Sequence, residues 1–309
     1  MFRILLPLLA LTATQAAADP VTVHSCDRDV TVTTAPERAV VTGSNLTEIM
    51  LALGLHDQML GYTGRGPDRD DDGMFPAFAD LRQIQRERPS VEMLLEHNAD
   101  FLFSGWNYGM RVGGEVTPES LARYGIAVYE LSESCVHLGQ QNAPSFDLLF
   151  RDLTNLAALF GHPDRASTLI AGYQARLDAV AETVAARGTD PLVFVYDSGD
   201  KAPLTAGGYA MPQAIIEATG ARNLAADLEA NWARIDWETV AERNPDVVLI
   251  VDYGDVSAED KIAFMKNHPA FAHIGAVRDD RFLVLSYDAM TPGPRNIDAV
   301  ERLTAFLAD

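Results

Sequence analysis

Ser90-Val91-Glu92-Met93-Leu94-Leu95-Glu96-His97-Asn98-Ala99-Asp100-Phe101-Leu102-Phe103 can be laid without a gap on Asp236-Trp237-Glu238-Thr239-Val240-Ala241-Glu242-Arg243-Asn244-Pro245-Asp246-Val247-Val248-Leu249. Glu92 falls on Glu238, Glu96 on Glu242, Asn98 on Asn244 and Asp100 on Asp246, all at an offset of 146 residues. Each copy reads as a short helix, a turn at Asn-Ala-Asp or Asn-Pro-Asp, and a buried strand. A second pair, Ile49-Met50-Leu51-Ala52-Leu53-Gly54 and Ile215-Ile216-Glu217-Ala218-Thr219-Gly220, reads as a helix closed by a left-handed glycine. Its offset is 166, so the first half holds about 20 additional residues, for which Gly64 to Leu81 is the candidate loop.

Outward from the repeat, the apolar runs Ala39-Val40-Val41, Phe101-Leu102-Phe103, Val193-Phe194-Val195 and Val247 to Val251 alternate with helical patterns, which predicts two α/β lobes. Between them, Ala166, Leu169, Ile170, Tyr173, Leu177, Val180 and Val184 recur at helical spacing from Pro163 to about Arg187. A helix of that length spans about 37 Å and reads as a rigid strut. The expected division is a first lobe over 19–160, the strut over 163–187 and a second lobe over 188–309.

The N-terminus carries Arg3, the apolar run Ile4 to Ala13, and Ala16-Ala17-Ala18 ahead of Asp19. That is the layout of a cleavable secretory signal peptide over 1–18, and the run stops well short of the roughly 20 apolar residues a membrane span needs. Cleavage there removes one charge and moves the formal net charge from -20 to -21. Such acidity argues against nucleic acid or an anionic membrane surface as partner. No cysteine lies at the cleavage point, so lipid attachment is unsupported. In an exported chain Cys26 and Cys135 read as a disulfide, the rival being two buried thiols.

The chain resembles the periplasmic binding proteins of ferric-siderophore, haem and vitamin B12 uptake. The resemblance rests on Arg38-Ala39-Val40-Val41 followed by Asn45-Leu46-Thr47-Glu48, on the two repeats and on the strut, and it covers essentially the whole mature chain. It implies two Rossmann-like α/β lobes joined by one long helix, a ligand cleft between them, no catalysis, no cofactor, and a monomer that delivers its cargo to a membrane permease. It also implies a glutamate on each lobe that docks into arginine-lined permease pockets; Glu92 and Glu238 hold the matching places. Without the resemblance they read as acids at helix N-termini, favoured by the helix dipole.

Ligands of open α/β sheets bind beyond the carboxyl ends of the strands. The loops there supply Ser44, Asn45, Tyr62, Arg65, Trp106, Tyr108 and Arg111 in the first lobe, and Lys201, Tyr209, Tyr253, Tyr287 and Arg295 in the second. Trp106 and Tyr108, flanked by Gly105 and Gly109, read as large aromatics on an exposed loop, suited to a bulky chelate. The arginines and Lys201 are candidates to pair with an anionic complex. The expected cargo is a ferric siderophore, with haem or a corrinoid as the alternative and a tyrosine as the candidate axial ligand. A chelate sensor or an exported enzyme on the same scaffold are the readings outside this class. Asp68-Arg69-Asp70-Asp71-Asp72-Gly73 begins like a calcium loop but has Ala79 where a bidentate glutamate belongs. Seven histidines are scattered without zinc spacing, and no Gly-x-Ser-x-Gly elbow or phosphate-binding loop is present.

Overall fold

The computed structural model describes residues 19–66, 73–140, 143–188 and 190–308. The signal-peptide segment and the Asp68–Asp72 loop lie outside the described residues. Strands β1 (Val21–Ser25) and β2 (Arg28–Val32) form an antiparallel hairpin. At its turn Cys26 is bonded to Cys135, Cα atoms 5.3 Å apart, which closes a span of 109 residues. Next come β3 (Ala39–Thr42), α1 (Ser44–Ala52), β4 (Met59–Thr63), β5 (Gln83–Gln85), α2 (Val91–Glu96), β6 (Phe101–Trp106), β7 (Gly109–Met110), α3 (Pro118–Ala122), β8 (Ala127–Glu130) and α4 (Phe146–Leu159). The strands from β3 to β8 build a parallel sheet in the order β5-β4-β3-β6, with β7 and β8 both paired to β6. All four residues of β3 are buried, as expected of a central strand covered on both faces.

Helix α5 runs from Pro163 to Arg187, starting at a proline and ending at Gly188 with φ +70°. Its apolar stripe changes partner along its length. Ala166 and Tyr173 belong to the core around β3 and β6, Val180 belongs to the core of the second sheet, and Leu177 packs against both. The helix is therefore a strut held at each end by a different core.

Beyond it lie β9 (Leu192–Tyr196), β10 (Leu204–Ala206), α6 (Met211–Ala218), β11 (Arg222–Asn223), β12 (Trp232–Arg234), α7 (Trp237–Arg243), β13 (Val247–Asp252), α8 (Ala258–Asn267), α9 (Gly275–Arg278), β14 (Phe282–Ser286), α10 (Tyr287–Met290) and α11 (Asn296–Phe306). Four of these strands form a second parallel sheet, β11-β9-β13-β14, and β10 pairs with β12 antiparallel.

The repeat is structural to the residue. Helix α7 begins 146 positions after α2, and β13 begins and ends 146 positions after β6. Asn98 and Asn244 both turn the chain in the left-handed region, at φ 49° and 47°, which asparagine tolerates better than most residues. The Asp100 carboxylate accepts the Glu37 and Arg38 amides at 2.9 and 3.0 Å, and that of Asp246 accepts the Leu192 amide at 2.7 Å. Each aspartate thereby ties its own strand to the entry of the neighbouring central strand.

Candidate functional site

The carboxyl ends of the two sheets share one cleft. A first cavity of about 190 Å³ is lined by residues at the ends of β3, β4 and β6 (Thr42, Gly43, Gly64, Asn107), by Arg65 and Arg88, and from the second half by Tyr253 and Tyr287. A second, of about 250 Å³, shares Asn107, Tyr108, Tyr253 and Tyr287 and adds His137, Asp197, Asn231 and Trp232. Tyr253 and Tyr287 stack at 4.7 Å, and the Arg65 guanidinium lies 4.6 Å over the Tyr253 ring, reaching from one half to the other. Burial, reinforced by the neighbouring Tyr253 and acidic groups, keeps the Tyr287 phenol protonated far beyond neutral pH.

The tight loop after β6 positions Tyr108. Asn107 adopts φ +68°, Tyr108 and Gly105 exchange backbone hydrogen bonds at 2.9 and 3.2 Å, and Gly109 follows at φ +117°. A Cβ at Gly109 would come within 2.5 Å of Ser104 Oγ, so glycine is required there. Tyr108 donates its hydroxyl to Glu133 Oε1 at 3.2 Å, and Asn231 Nδ2 donates to the same oxygen from the other half, also at 3.2 Å. Burial pushes the Glu133 carboxyl up to about 8, against the lowering effect of those two bonds and of the Met211 amide.

Several expected ligand contacts are placed otherwise. Trp106 is only 5% exposed and packs with Leu102, Met110, Val116 and Leu121. Strand β6 continues to Trp106 instead of ending at Phe103, and strand alternation sends Trp106 to the same face as Leu102. The aromatic exposed to the cleft is Tyr108. Arg295 is buried against Glu48, its Nε 2.7 and 2.9 Å from the two carboxylate oxygens, and serves as a bridge between the halves. Ser44 donates to Asp288 Oδ1 at 2.5 Å, and Asn45 donates to the Pro292 carbonyl at 2.9 Å while still lining the first cavity. Tyr62 is buried edge-on against Phe78. Arg111 and Lys201 are exposed, Tyr209 is partly exposed, and none of the three lines either cavity. Asn45, Arg65, Tyr108, Tyr253 and Tyr287 are the anticipated residues that do meet in the cleft.

Asn107 and Asp197 line the cleft from strand-following loops, where a ligand is expected, whereas Arg88, His137, Asn231 and Trp232 line it from segments not singled out in the sequence. Arg88 lies between β5 and α2, and Asn231 immediately precedes β12; neither context carries a local signature. Burial lowers the pKa of His137, and burial followed by the nearby Arg111 charge lowers that of Arg88. Among the described residues, no group of three or more His, Cys, Asp or Glu side chains is placed to hold a metal ion, and no helix is long and apolar enough to cross a membrane.

Comparison with known proteins places this architecture. The chain is 23% identical over 289 residues to an uncharacterized ABC transporter substrate-binding lipoprotein of Bacillus subtilis, covering 92% of this chain and 84% of that one. It is 23% identical over 284 residues to a vitamin B12-binding protein of Pectobacterium atrosepticum, covering 89% of each. Among solved structures, a periplasmic binding protein of Veillonella parvula superposes with a TM-score of 0.82 at 26% identity, over 94% of this chain and 98% of that one. An ABC-type Fe3+-hydroxamate transport protein of Saccharomonospora viridis superposes with a TM-score of 0.78 at 25% identity, over 94% and 100%. The family model for periplasmic binding proteins matches residues 40–289, from β3 to α10, and the chain belongs to that family.

Proposed function

We propose that the protein is the exported, periplasmic substrate-binding component of an ABC importer, and that its cargo is an iron chelate of the ferric-siderophore type. The lobes 19–160 and 188–309 hold the chelate between them, and the helix over 163–187 limits their relative motion. The observation that carries this reading is the cleft, in which Tyr108, Tyr253 and Tyr287 form aromatic walls with Arg65 and Arg88 at one end. Phenol rings offer large apolar contact with polar tips, and guanidinium groups match oxyanions with two parallel hydrogen bonds. In a chain of net charge -20, two arginines turned to one cavity give that cavity a sign opposite to the molecule's. Capture requires no covalent step.

Thermal stabilisation by ferric hydroxamates, haem and cobalamin tests the cargo, because a ligand at about 100 times its Kd adds about 2.7 kcal/mol of apparent stability. A response from none of the three ends the assignment. Delivery is assigned to Glu92 and Glu238, both exposed in the first turns of α2 and α7. The double variant Glu92→Ala/Glu238→Ala should lose uptake in cells while its chelate affinity is unchanged; unaltered uptake overturns the docking role.

A second reading, haem or a corrinoid, is favoured by His137. Its partial burial disfavours the imidazolium, so a neutral ring stands beside Tyr108 and Tyr287 at the second cavity, where a metal centre would compete with the Asn107 amide for its lone pair. Haem addition would then give a Soret band that shifts in His137→Ala or in one tyrosine variant.

A further inference from the structure

We propose that the second cavity is a subsite for a terminal N–H group, an ammonium or primary amide arm of the cargo, so that the cleft selects chelates that are oxyanionic at the arginine end and hydrogen-bond donating at the other. This rests on the capture reading above and names the chemistry of its ligand more closely.

Two buried acceptors converge there. Asp197, 4% exposed, and Asn231, 6% exposed, both line the cavity, and the Oδ1 atom of each has no hydrogen-bond partner. Glu133, 5% exposed, stands one hydrogen bond behind Asn231. A buried acceptor left unmatched is costly, and two on one small cavity concentrate that cost. Two hydroxyl donors nearby are already committed: Tyr108 donates to Glu133, and Thr291 donates to the Tyr287 carbonyl at 3.0 Å. The Lys261 ammonium, close to Asp197, is bonded to the Val251 and Tyr253 carbonyls at 2.7 and 2.8 Å. At these two atoms the wall of the cavity presents unmatched acceptors, in contrast to the guanidinium groups that line the first cavity. An incoming N–H group satisfies acceptors that an ester or methyl group leaves bare, and sites of this kind discriminate strongly against analogues lacking the donor. The aromatic walls shared by the two cavities hold the body of such a ligand between the two ends.

Calorimetric titration of the full mature chain tests this with two matched pairs of probes. One pair is ferrioxamine B, which ends in an ammonium group, and the cyclic ferrioxamine E, which has no such terminus. The other is cyanocobalamin, with primary amide arms, and the heptamethyl ester of cobyrinic acid. The donor-bearing member of whichever pair binds should bind at least about tenfold more tightly. Asn231→Leu and Asp197→Leu should erase that preference by weakening the donor-bearing member about tenfold while leaving the other unchanged. Asp197→Asn, close in shape and still an acceptor, retains the preference for an amide arm and loses part of it for an ammonium; it also serves if the leucine variant fails to fold. Equal affinity within the pair, or equal losses for both members, overturns the subsite. Absence of binding by both pairs to the unaltered protein overturns the subsite, and if haem also fails to bind, the capture reading falls as well.

Discussion

The repeats α2-β6 and α7-β13 run in parallel from their helices through Asn98 and Asn244 to Asp100 and Asp246, then diverge at the last residue of the strand. Strand β6 ends on Trp106, buried in a small core cluster, whereas β13 ends on the partly exposed Asp252. After β6 the chain folds back through Asn107 and Gly109 and extends the sheet with β7; after β13 it leaves the sheet at Tyr253. What recurs is scaffold: a left-handed turn residue and a carboxylate that captures free backbone amides. What differs is the carboxyl end, where each half presents a different surface to the cleft. Sequence similarity between the halves therefore locates the framework and falls silent where binding begins.

Substitution can break this contrast at its point of divergence. Trp106→Ala should cost about 3–5 kcal/mol in urea-induced unfolding, because it empties a packed site, whereas Asp252→Ala should stay within about 0.5 kcal/mol. Comparable costs at the two positions would mean that Trp106 is a cleft residue after all. The matched aspartates sharpen the other side of the comparison. Asp100→Ala and Asp246→Ala should each lose about 1–2 kcal/mol, with Asp100 the larger because it accepts two backbone amides and Asp246 one. A null effect at either would break the equivalence of the repeats.

A pH-dependent effect concerns Glu133, which follows β8 in the first half. Its carboxyl titrates at about 8 when folded, mainly through burial, against 4.5 unfolded. The folded state holds this proton more tightly, so the contribution to stability is complete below about pH 4.5 and is lost as pH rises toward 8. Asp152, raised to about 6 by burial, adds a smaller slope of the same sign. Glu133→Gln should flatten the decline in melting temperature between pH 5 and 8 without abolishing it; an unchanged slope would place the charge change elsewhere.

The strand-ending turns were the least legible part of the chain. Periodicity placed α5 at Pro163–Arg187, and the paired glycines Gly54 and Gly220 end their helices at φ +66° as expected. The end of β6 at Trp106 is set by pairing with its neighbour, here β7, which no local pattern announces. The place of Arg295 is hidden from the sequence for a similar reason. Its partner Glu48 is 247 positions away, and only docking of the two halves brings the ion pair together.

The sequence by itself determined the α/β class, the duplicated helix-turn-strand unit and the long connecting helix, because each depends on short-range periodicity and turn chemistry that neighbouring residues impose on one another. Tertiary structure alone decided which side chains meet in the cleft. Arg88, His137, Asp197 and Asn231 come from segments unrelated in sequence, and their convergence, like the neutralisation of Arg295, depends on how the two sheets are set against each other across α5.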